Sequence, residues 1–151
     1  MRLGAVVASF AFAAILFALP LNARSQQAPT GCKANPQTPP EIAGTYVDDF
    51  GGLQAISGAF WISGASVFEI CSVDNAKHRL IAFNNARNAY NPGKFSAFDW
   101  ARQGNKLWYC QVIFDAASEG AAAAAPPANP QMPATAGCGQ FAWSTLIRLL
   151  P

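Results

Sequence analysis

Charge is scarce in this chain. Only 12% of its residues are Asp, Glu, Lys or Arg, and His78 is the one histidine. No basic stripe runs along it, which argues against nucleic acid and against a membrane surface held by electrostatics. A lone histidine in Asp74-Asn75-Ala76-Lys77-His78-Arg79 has no triad around it, so it reads as a solvated turn residue. There is no C-x-x-C spacing, so no zinc site is expected. Cofactor motifs and a nucleophile elbow are also missing, and neither metal nor cofactor is expected. Asp48 and Asp49 are adjacent and point to opposite faces of a strand, so they form a polar turn rather than an acid–base pair. With Asp74 or Asp99 they lack the alternating ligand loop that calcium needs.

Only one long apolar run exists. It spans Ala5 to Leu21, follows the basic Arg2, and ends at Leu21-Asn22-Ala23, a small-residue boundary. That is the layout of a secretory signal peptide over residues 1–23; an uncleaved N-terminal anchor is the rival. Cys32, preceded by Pro29-Thr30-Gly31, does not fit a lipoprotein site. The expected location is secreted or periplasmic, with no membrane span after cleavage. Cleavage removes Arg2 and leaves nine basic against eight acidic residues, net +1.

The rest divides by composition. Residues 24–43 are rich in Gln, Pro, Asn and Thr and read as an extended leader. Residues 44–151 form one β-rich domain. Its short runs are Gly44–Asp49, Leu53–Ser57, Ala59–Ser63, Ser66–Val73, Arg79–Asn84, Lys94–Ala101 and Lys106–Phe114, separated by Gly- and Asn-containing turns. Phe141–Leu150 alternates and reads as a last strand. The expected fold is mainly β: a small antiparallel meander, barrel or sandwich. An Ala/Pro-rich insertion occupies 116–136. A helix is expected over Asp115–Ala125, capped by Asp115 and stopped by Pro126-Pro127.

Four cysteines in an exported chain suggest two disulfides in one of three connectivities. Cys110–Cys138 is favoured, because it would anchor the insertion to the sheet. That leaves Cys32–Cys71 to tie down the leader. The loop-entropy model assigns each about 3–4 kcal/mol.

Aromatic residues are abundant and are the strongest functional candidates. A two-residue turn at Gly104-Asn105 would pair Trp100 with Tyr109 and Phe98 with Gln111. Phe98, Trp100, Tyr109 and Gln111 would then form an exposed ligand-binding row, with Phe95, Ala97, Ala101, Trp108, Cys110, Val112 and Phe114 as the core face. A three-residue turn would instead pair Trp100 with Trp108 and bury both.

Phe95-Ser96-Ala97-Phe98-Asp99-Trp100, then Leu107-Trp108-Tyr109-Cys110 and Gly137-Cys138-Gly139, resemble a pattern in uncharacterised exported bacterial proteins. The resemblance covers Gly44 to Trp143. It implies a shared small fold, no known activity and no catalytic residues to transfer. The expected function is a non-catalytic envelope or extracellular binding or structural module, its partner a small ligand, glycan or protein. Two alternatives remain. One is a hydrolase or carbohydrate-active enzyme using scattered carboxylates such as Glu69, Asp99 and Asp115. The other is an inhibitor or immunity-type protein presenting the loop Ala116–Ala136.

Overall fold

The computed structural model describes residues 31–33, 36, 38–139 and 141–149. The proposed signal peptide lies outside the described residues. Among the described residues eight strands run in chain order and close into an antiparallel up-and-down barrel. They are β1 (Gly44–Asp48), β2 (Leu53–Ile56), β3 (Phe60–Ser63), β4 (Ser66–Asp74), β5 (Arg79–Asn84), β6 (Phe95–Gln103), β7 (Lys106–Ala116) and β8 (Ser144–Arg148). β8 returns to β1, placing Asp48 opposite Leu146. Among the described residues no helix is long and apolar enough to cross a membrane.

This connectivity gives the barrel two distinct ends. The β1–β2, β3–β4 and β5–β6 turns and the long β7–β8 connection share one end, called here the mouth. The β2–β3, β4–β5 and β6–β7 turns lie at the other, beside the leader. Alternation sends one set of side chains inward. Tyr46, Ile56, Trp61, Ile70, Leu80, Phe98, Trp100, Leu107 and Leu146 fill the interior. Trp61 stacks on Phe98 at 4.5 Å between centroids, and Phe68 meets Phe98 edge-on at 5.1 Å.

The leader is more than a tail held by a disulfide. Pro40 and Ile42 are buried, and Ile42 belongs to the barrel core with no exposed surface. Tyr46 donates its hydroxyl proton to the Ile42 carbonyl at 2.8 Å, and Trp100 Nε1 donates to Glu41 Oε1 at 2.9 Å. Residues 40–42 therefore stopper the leader end.

The insertion is equally well fastened. Both expected disulfides are present, Cys32–Cys71 and Cys110–Cys138. The Arg79 guanidinium forks onto Asp99 (Nε–Oδ1 2.6 Å, Nη2–Oδ2 2.9 Å) and also donates from Nη1 to the Ala125 carbonyl at 2.7 Å. Asp99 Oδ2 accepts from Ala128 N at 2.8 Å. A short helix, α1 (Glu119–Ala123), lays the buried Ala122 against Ile81, Phe95 and Ala97. Its cap is Ser118, whose Oγ accepts from Ala121 N at 3.1 Å. The expected cap, Asp115, still belongs to β7, because that strand runs past a register shift to pair Ala116 with Phe95. The helix is correspondingly shorter than the alanine run suggests.

Candidate functional site

The β6–β7 hairpin has the two-residue turn. Trp100 lies opposite Tyr109 and Phe98 opposite Gln111. Gly104 adopts φ +58°, a backbone conformation glycine enters freely. The exposed aromatic row nevertheless does not exist. Phe98 and Trp100 are 2% exposed. Barrel closure turns their face into the interior, where Trp100 also lies 5.9 Å from the His78 ring. The opposite face is covered too. Trp108, Cys110 and Ala101 pack beneath Trp143, Ala128 and Cys138 of the β7–β8 connection. Phe114, expected in that core face, is exposed, because the two register shifts in the hairpin re-aim the end of β7.

Tyr109 and Gln111, half-buried, reach the mouth. Below them lies a polar layer that sequence reasoning missed. Gln54 Nε2 donates to Asp48 Oδ2 and to Ser63 Oγ, both at 2.9 Å, and its Oε1 accepts from Trp61 Nε1 at 2.8 Å. Gln111 Nε2 donates to Ser96 Oγ at 2.9 Å, and Ser96 donates to Asn84 Oδ1 at 2.6 Å. Asn84 Nδ2 then holds the carbonyls of Phe114 and Asn91 at 2.8 and 3.0 Å. The inward period-two positions of Asp48, Gln54, Ser63, Asn84, Ser96 and Gln111 were the available signal. They become one layer only once the strands are ordered in space.

Two clefts open at this end and share Gln111. One, of about 210 Å³, is lined by Ser63, Asn84, Tyr90, Asn91 and Phe114 among others. The second, of about 320 Å³, lies between Phe50, Tyr109, Phe141 and Ser144. Among the described residues no Asp, Glu, Lys or Arg lines either one. The rim is aromatic and wet: Phe50 is 84% exposed, Tyr90 82%, Phe141 74% and Phe114 53%. Burial, with the negative charge of Asp48 nearby, pushes the Tyr109 hydroxyl up to about 12, so it stays a neutral donor.

The carboxylates proposed for catalysis do not converge. Asp48 is buried and caps the β1–β2 turn, accepting from Phe50 N and Gly52 N at 3.0 and 2.7 Å. Asp99 is held by Arg79 and lines neither cleft, and Asp74 pairs with Lys77 at 2.9 Å. The Lys77 hydrogen bond keeps Asp74 below the usual carboxylate range. Glu69 sits on the outer face of β4, beneath Gly31. His78 lies 3.7 Å from Glu41 and has a positive φ of 53° in its turn. Among the described residues no group of three His, Cys, Asp or Glu could hold a metal. The Ala116–Ala136 segment is fastened to the barrel wall through Ala122, Ala125 and Ala128. No protein-family model matches the chain, and no curated protein or solved structure matches it.

Proposed function

We propose that this is an exported, non-catalytic binding module that takes an uncharged glycan at the mouth of its barrel. Two disulfides suit an oxidising compartment. One observation carries the ligand class. The mouth joins exposed aromatic rings to amide and hydroxyl groups and excludes every formal charge from its clefts. Sugar rings present C–H faces that stack on aromatics and hydroxyls that exchange hydrogen bonds with amides. A few fixed polar groups within an apolar lining set the orientation of such a ligand. Gln111, Asn84 and Ser96 are already locked to one another, so little freedom is lost when a ligand arrives. The carboxylates support binding over hydrolysis, since Asp48 and Asp99 are consumed by turn and insertion contacts.

The test is titration of the mature, oxidised protein with neutral oligosaccharides, followed by calorimetry. Tyr90→Ala with Phe141→Ala removes exposed rings and should leave the melting temperature unchanged. It should weaken a bound oligosaccharide by at least about fivefold, given stacking contributions of about 0.5–1.5 kcal/mol per ring. Unchanged affinity in the double variant would overturn this assignment.

A further inference from the structure

At the leader end, beside the stopper, a further cavity of about 400 Å³ differs from the mouth in being lined by cations. Its floor is apolar: Tyr46, Leu107 and Leu146 are each at most 5% exposed. Its rim carries Arg102, Lys106 and Arg148, and among the described residues no acidic one lines it. Among the described residues none of these three cations stands in an ion pair. Arg148 is already oriented. Its Nη2 donates to the Ala43 carbonyl at 2.9 Å and to the Tyr46 hydroxyl at 3.1 Å, with the guanidinium 5.3 Å from the Tyr46 ring centroid. Lys106 Nζ sits 5.8 Å from the Trp108 ring.

The geometry points to a binding site for a small amphipathic anion, with a carboxylate or phosphate head at the three cations and a short apolar chain over Leu107 and Leu146. Three like charges gathered without a counter-ion repel one another, and an anion relieves that repulsion. Only an apolar body displaces water from the floor usefully. The volume is at the small end of the range of about 300–1,000 Å³ for ligand sites, which favours a single medium-length chain over a bilayer lipid. A guanidinium held in place forks onto either type of oxyanion. This site is independent of the glycan reading, since it lies at the opposite end of the barrel.

The experiment uses the oxidised mature protein and calorimetry below micelle-forming concentrations. The probes are decanoate, decyl phosphate, decanol and decyltrimethylammonium. Decanoate or decyl phosphate should bind, while decanol and the cationic probe should bind at least about tenfold more weakly. The stronger of the two anions identifies the head group. Arg102→Gln with Lys106→Gln changes exposed side chains and should weaken the anion about tenfold without moving the melting temperature, whereas Tyr90→Ala should leave it unchanged. Equal binding of decanol, or undiminished anion binding in the double glutamine variant, would overturn the proposal. Loss through Tyr90→Ala would place the anion at the mouth and also overturn it. Failure of neutral oligosaccharides to bind would count against the mouth alone.

Discussion

Ile42→Ala isolates the stopper. The substitution leaves the backbone carbonyl that Tyr46 bonds and removes only side chain. Ile42 is fully buried among the barrel's interior residues. Losing three carbons at about 0.8 kcal/mol each costs about 2.4 kcal/mol in transfer alone. A residual cavity raises this to about 3 kcal/mol, within the usual range for such truncations. For a domain of this size each kcal/mol moves the midpoint by about 4 °C, so the melting temperature should fall by about 12 °C. The companion variant is Ile62→Ala on β3, where 39% of the side chain is already exposed and the loss should be about 1 kcal/mol. Both would be followed by circular dichroism without reductant, so that the Cys32–Cys71 bridge is constant. A shift for Ile42→Ala no larger than that for Ile62→Ala would refute the stopper and return residues 38–43 to the status of a tether.

Two further predictions concern the mouth and the insertion. Tyr109 has a folded value raised to about 12 from the ordinary 10. The resulting stability is fully present below pH 10 and is lost as pH rises towards 12, about 2–3 kcal/mol in all. Tyr109→Phe should flatten that alkaline decline in melting temperature; an identical decline in both proteins would show that another group causes it. Gly137 has φ +100°, and a Cβ there would collide with the Asn129 carbonyl oxygen. Gly137→Ala should therefore cost about 1–3 kcal/mol and free Cys138 for faster reduction. An unchanged midpoint in urea would mean that the connection can shift aside.

Local chemistry made much of the fold legible. Turn residues placed seven of the strands to within two residues at each end. Gly104-Asn105 gave the correct register of the aromatic hairpin, and the need to anchor Cys138 selected the observed disulfide pairing. What could not be read depended on distant segments. Whether Trp100 is exposed was open in the sequence, because in the two-residue-turn register a lone hairpin shows one face to water; closure of β1 onto β8 puts that face inside, and the insertion covers the other. Ile42 stood among prolines and polar residues and gave no periodic signal. Asp115 and Ser118 are both good caps by composition, and the length of β7 chose between them. The mouth's neutrality also depends on placement, because Asp48 is acidic in sequence yet is held beneath the clefts by its own turn, Gln54 and Tyr109, and lines neither of them.

Closure of the ring also has a consequence for the order of assembly. Seven of the eight strand pairings join neighbours in the chain and can form as local hairpins. The eighth brings Tyr46 to Arg148 across a separation of 102 residues. Closing so long a loop is slow, and little rewards it before both strands are present. The two disulfide loops, spanning 39 and 28 residues, are consecutive along the chain and do not interlock. Neither therefore obstructs the other, and oxidation can proceed in either order. A chain emerging N-terminus first holds β1 with one side of its backbone unpaired until β8 follows. During that interval the free edge of β1 is open to pairing with another chain, and the arrival of β8 ends the exposure.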